Sequence, residues 1–184
     1  GLSNSIVIGI LASIVSSIVA LIFGIAAAVF GKWVDKVVNW GVDLCMGLPH
    51  LVLLMLISFM LGKGVKGVTI AVALTHWPSL TRIVRSEVMQ IRSSQYVQAA
   101  YKMGISKWKV AVTHIVPHVL PSYLIGLVLL FPHAIMHEAS ITFLGFGLPA
   151  EMPAIGVILS EAMKHLATGK WWLALFPGLL LLIA

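Results

Sequence analysis

Gln98-Ala-Ala-Tyr-Lys-Met-Gly-Ile-Ser-Lys-Trp-Lys-Val-Ala-Val-Thr-His-Ile-Val-Pro117 is the one long amphipathic and strongly basic segment in an otherwise apolar chain. Starting just before it, Val97, Ala100, Tyr101 and Gly104 recur at i, i+3, i+4 and i+7, one face of a short helix. Gly104 stops that helix, because glycine tolerates the positive φ of a helix C-terminus. Ser106 caps a second helix, whose apolar side is expected to carry Trp108, Val112 and Ile115. The reading over residues 93–116 is therefore helix, glycine break, helix. Apolar segments enclose it on both sides. A polar element held between membrane spans is a docking device for something in the aqueous phase.

The surrounding composition supports spans. Of the 184 residues, 60% are hydrophobic and 10% charged, where a soluble domain carries about 25% charged residues. The net charge of +6 is concentrated, not spread. Arg82, Arg85, Arg92, Lys102, Lys107 and Lys109, six of the twelve basic residues, lie in one loop between apolar segments. That is the positive-inside pattern; it puts the loop in the cytoplasm and gives no reason to expect nucleic acid as a partner. The expected surroundings are lipid, and the expected location is the cell membrane, crossed several times. Cys45, alone, excludes an intrachain disulfide and is read as a small apolar packing residue. Neither Cys/His zinc spacing nor a GxxxxGK[ST] phosphate loop occurs. No cofactor is expected on this chain, and any ATP that drives it is bound by another.

Taken in order, residues 1–31 carry no Asp, Glu, Lys or Arg, and the first span is set at Ser5–Phe30. Gly31–Lys36 is a short cytoplasmic loop, and Val37–Leu61 a second span that Pro49 is expected to kink. Gly62–Gly67 turns on the outer side. A third span starts near Gly67, and Arg82 and Arg85 continue its helix and snorkel to the inner interface. Pro117 and Pro121 fit a first helical turn, so the fourth span runs from about His118 to Leu144. Residues 151–170 form an outer loop with a surface helix. Trp171–Ala184, at fourteen residues, is too short to span, so the expectation is one permease-type membrane domain over 1–184, truncated at both ends.

Ala99-Ala100, Gly104 and Pro117, at that spacing, resemble the EAA loop of the membrane subunits of ABC importers. Gln98 stands where that family usually has Glu, His114 where it has Ile, and Val116 where it has Leu. Ala139–Gly147 (Ala-Ser-Ile-Thr-Phe-Leu-Gly-Phe-Gly) and Phe176-Pro-Gly-Leu179 look like the second permease subunit of the dipeptide/oligopeptide/nickel importers. Thr75-His-Trp77 followed by Arg82-x-x-Arg85-Ser86 is similar to the nickel branch. The resemblance implies an all-α polytopic bundle with a cytoplasmic coupling helix pair. Gln98, Ala99, Ala100, Gly104 and Pro117 would couple it to an ATP-binding subunit. A second permease subunit and an extracytoplasmic binding protein are the other partners implied. The first cargo expected is a transition metal or its chelate, nickel foremost. A dipeptide or oligopeptide is the alternative; a receptor or scaffold without transport is a third reading.

The candidate path residues are His76, His133, His137 and Glu138. His133 and His137, four apart, share one helical face, where two imidazoles can meet one borderline metal ion. Interhelical hydrogen bonding is the competing role for both. Glu138, deep in an apolar run, needs a cavity or a partner, and the peptide permeases are similar in having Glu there. A bend at Pro78 would open His76 to the path; a histidine bonded within the bundle is the alternative. An enzyme is not expected. The metalloprotease frame His-Glu-x-x-His fails because Ala-Ser-Ile follows His137-Glu138.

Overall fold

The computed structural model describes residues 2–183, with side-chain surroundings for residues 3–182. Gly1 and Ala184, and with them the expected truncation points, lie outside the described residues. Helices fill the chain, and the described residues contain no strand. They are α1 (Leu2–Val29), α2 (Lys32–Met46), α3 (His50–Met60), α4 (Gly64–Arg92), α5 (Gln95–Lys102), α6 (Lys107–Val110), α7 (Val116–Phe143), α8 (Ile155–Leu166) and α9 (Trp172–Ile183). A π-helical turn, Ala111–Ile115, joins α6 to α7. The chain divides into two compact units, one of residues 1–14, 49–75 and 130–184, the other of 15–48 and 76–129.

The distribution of side chains is that of a membrane protein. On α1, Ser5, Ser13, Ser16, Ser17, Ala12 and Ala20 are buried. Val7, Ile10, Leu11, Ile14, Val15, Ile18 and Ile22 of the same helix are exposed. In water this arrangement would be inverted. Lipid tails are as apolar as leucine, so helices there associate through small residues that let backbones approach. Gly24 shows this in the second unit: a Cβ on it would lie 2.6 Å from a Val84 methyl and 3.1 Å from the Thr81 carbonyl oxygen. Tyr123 donates to Ser17 Oγ at 3.1 Å, and the Phe23 and Trp77 rings meet edge-on at 5.2 Å. In the first unit, Ile8, Leu54, Val68, Val72 and Ile141 form the buried centre.

Ser3–Val29 and Lys107–Phe143 are each long and apolar enough to cross a bilayer, and α2 with α3 makes a third if counted as one broken span. The expected kink at Pro49 is in fact a break: α2 ends at Met46, and α3 starts at His50. Glycine, a pre-proline residue and proline in a row (Gly47-Leu48-Pro49) disfavour helix there. The expected loop at 31–36 is shorter, since α2 already begins at Lys32. Helix α4 runs through Arg82 and Arg85 as expected. Expected as the third span, it is not among the helices apolar enough to cross a bilayer by composition. Val68, Ala71, Val72, Thr75, His76, Trp77, Leu80, Thr81, Val84 and Val88 are all buried. A helix that meets protein on most sides can carry threonine and histidine where a lipid-facing one cannot. The fourth span starts earlier than His118. Pro117 lies inside a continuous helix from Lys107, not at its first turn. The π turn, closed by Val116 N–H on the Ala111 carbonyl, widens the helix just before a residue that has no N–H to give.

Candidate functional site

The basic segment folds as its sequence indicates, on the second unit. Helix α5 has eight residues, too few to be stable alone. Val97 and Ala100 are buried beneath it, and full burial of a valine contributes about 1.5–3 kcal/mol. Its end is closed by a Schellman motif: Gly104 N–H donates to Tyr101 O at 3.0 Å and Ile105 N–H to Ala100 O at 3.2 Å, with Gly104 at φ 78°. Ser106 Oγ accepts from Lys109 N–H at 3.4 Å, the cap expected for the second helix.

One expectation about faces is corrected, that for the second helix. Ala100 is buried; the outward face of α5 carries Tyr96, Gln98 and Ala99, with Met103 beyond it. Trp108 and Val112 are exposed, while Val110, Ala111 and Ile115 are buried. The π turn takes one residue more per turn than the 3.6-residue period assumed, which moves the buried stripe. The outer surface of the segment is therefore apolar and basic together, with Met103 at 73% and Trp108 at 65% exposure beside Lys102, Lys107 and Lys109.

Polar ties hold this segment to the rest of the unit. Gln98 Nε2 donates to the Arg92 carbonyl at 2.8 Å, which a glutamate at that position could not do. The Arg92 guanidinium donates to the Ala28 carbonyl at 2.7 Å, meeting the C-terminal end of α1. Arg85 grips Asp35 through Nε and Nη2, at 2.5 and 2.7 Å, and Asn39 Nδ2 donates to the same carboxylate at 2.7 Å. Arg82 pairs with Asp43 at 2.7 Å. Sequence reading sent both arginines to the interface alone and missed their carboxylates on α2. The available signal was Asp43 inside the expected second span, since charges there are paired; Asp35, set in the short loop, carried none.

The histidines and Glu138 fall differently. In the first unit, His137 packs on His50, with ring centroids 4.5 Å apart. His133 is on the same helix but exposed. His76, expected at a bend, is 93% buried within α4, which continues through Pro78. Glu138 is fully buried. Its Oε1 accepts from Thr142 Oγ1 at 2.8 Å, and Thr142 Oγ1 accepts from Leu148 N–H at 3.1 Å. Its Oε2 has no hydrogen-bond partner among the described residues, and the buried Ser5 hydroxyl lies beside the carboxyl. The carboxyl thus fastens the turn that follows α7.

The sequence matches, over residues 20–184, the family described as binding-protein-dependent transport system inner membrane component. A putative peptide transport system permease protein of Brucella suis is 33% identical over 184 residues, 100% of this chain and 62% of that protein. The oligopeptide transport system permease protein OppC of Bacillus subtilis is 31% identical over 97% of this chain and 58% of its own length. The dipeptide transport system permease protein DppC of the same organism is 27% identical over 97% of this chain and 56% of its own length. The chain thus spans about three-fifths of the length of these relatives. An inward-facing MetNI methionine ABC transporter shares the fold, with TM-score 0.73 at 14% identity, over 98% of this chain and 93% of that one.

Proposed function

The chain belongs to the family of binding-protein-dependent transport system inner membrane components, and from that premise we propose that it is a permease subunit of an ATP-driven peptide importer. It works with a second permease subunit, ATP-binding subunits and an extracytoplasmic binding protein. Its own place is that of the second permease of the pair. The observation that carries the cargo is the 33% identity, along all 184 residues, to a protein named for peptide transport. Peptide, second in the sequence reading, therefore moves ahead of nickel.

The docking segment supplies the coupling. Its apolar, basic outer surface suits a cleft on the ATP-binding subunit, entered by α5 with Ala99 outward and small enough for close approach. A displacement of α5 reaches α4 through Gln98 on the Arg92 carbonyl and α1 through Arg92 on the Ala28 carbonyl. It reaches α7 through the unbroken helix from Lys107. Between α5 and α6 lies only the four-residue joint of residues 103–106, which the Schellman motif and the Ser106 cap hold. Hydrolysis itself belongs to the ATP-binding chain.

The contact of His137 with His50 supports a second reading, a chelated metal as cargo, because paired imidazoles suit nickel, copper and zinc ions. One experiment separates the two. The full-length protein and its partners, in proteoliposomes, should accumulate a labelled dipeptide only with ATP inside and binding protein outside. Nickel and cobalt should not accumulate under the same conditions. ATP-dependent nickel accumulation with no peptide uptake would overturn the peptide reading.

A further inference from the structure

The first unit holds a cleft of about 450 Å³ bounded by the turn between α3 and α4, the turn after α7, and α8. Lys63, Thr142, Ser160, Glu161 and Lys164 line it, with glycine backbone between them. By the order of the spans it opens on the extracytoplasmic side. Lys63 is the one non-glycine residue with positive φ, 55°, among the described residues. That conformation costs an L-residue about 1–2 kcal/mol, so the surroundings must impose it. Lys63 N–H donates to Ser58 O at 2.8 Å, and its ammonium donates to Gly145 O at 3.0 Å. The same ammonium lies 5.3 Å from the Phe146 ring centre and 5.9 Å from that of Phe59. Ser58 Oγ donates to Phe146 O at 2.8 Å, and Gly64 N–H to Gly147 O at 3.1 Å, so the two turns are stitched together. Glu138, through Thr142, fastens the second turn from behind.

The result is an ammonium fixed in position on an aromatic support, with one of its three protons committed to a carbonyl. A lysine that serves only solubility has no need of a strained turn. Lys164 stands at the same cleft in an exposed pair with Glu161 at 2.6 Å, a pair weak enough to exchange for a ligand. Two ammonium groups against one carboxylate leave the cleft cationic. We propose that this cleft is a carboxylate-binding site, with Lys63 as its fixed contact and Lys164 as its exchangeable one. The carboxylate has two sources. One is the C-terminus of a peptide cargo, which rests on the peptide reading above; the other is an acidic side chain of the delivering binding protein.

The test uses the reconstituted full importer with Lys63→Met, Lys164→Met and the double variant. Lys164 is solvent-exposed and outside both turns, so its variant keeps the test valid if Lys63→Met misfolds. In the first arm, uptake of a zwitterionic dipeptide is divided by uptake of the same dipeptide amidated at its C-terminus. Each single variant should lower that ratio about threefold, the size of an exposed charge contact, and the binding protein's own selectivity cancels between variant and wild type. In the second arm, peptide-free binding protein is titrated onto the importer in nanodiscs. A loss in this arm alone assigns the carboxylate to the binding protein. Wild type that imports no peptide removes the peptide reading and leaves the second arm to decide the site. Wild-type values in both arms for the Lys164→Met variant and for every variant that folds would overturn the proposal.

Discussion

Arg92 decides more at the residue scale than its charge suggests. Its guanidinium ends α1 by taking the Ala28 carbonyl, and its own carbonyl takes the amide of Gln98. A charge-assisted hydrogen bond of this kind contributes about 1.5–3 kcal/mol. Arg92→Met should therefore lower the thermal midpoint and raise hydrogen exchange in residues 93–105, with exchange in the first unit unchanged. Wild-type protection in 93–105 would show that Arg92 does not hold the docking segment. Side-chain roles were only partly legible in the sequence. Spacing shows which residues share a face, and so put His133 with His137; it cannot show depth, and the structure exposes His133 and sets His137 against His50. Glu138 was legible as a residue needing a partner. That its partner is Thr142, four residues on in the same expected span, is not given by spacing, which does not choose between a partner on the same helix and one on another.

Helix by helix, the glycine break at Gly104 was the most legible feature, because one residue type fits the backbone there and φ is 78°. Gly104→Ala adds a Cβ with nothing within 4 Å, so its cost is the left-handed backbone alone, about 1–2 kcal/mol. Gly104→Pro cannot adopt that φ at all, and it also removes the N–H given to Tyr101 O. The alanine variant should keep substrate-stimulated ATPase activity at reduced thermal stability, and the proline variant should lose the stimulation. Equal behaviour of the two in an ATPase assay would contradict the role assigned to the motif. Where elements were misread, the reason is local. A single proline at position 49 reads as a kink until Gly47 and Leu48 are counted with it. Prolines at 117 and 121 read as a helix start, because periodicity does not reveal that a π turn lets the helix run on through Pro117.

For the whole molecule, what was legible is what lipid dictates: an all-helical, polytopic membrane protein. The second-permease place and the partners are proposals drawn from likeness to longer proteins, of which this chain spans 56–62% for the relatives named above. Sidedness is the claim on which coupling rests. In a Cys45→Ser background of the full-length protein, single cysteines replace Ala99, on the outward face of α5, and Thr168, after α8. Both positions are exposed. In intact cells an impermeant maleimide should label Thr168→Cys and not Ala99→Cys. In inverted vesicles the order should reverse, and Ala99→Cys should crosslink to the ATP-binding subunit. Labelling of both cysteines from one side, or a crosslink to that subunit from Thr168→Cys and none from Ala99→Cys, would contradict the account.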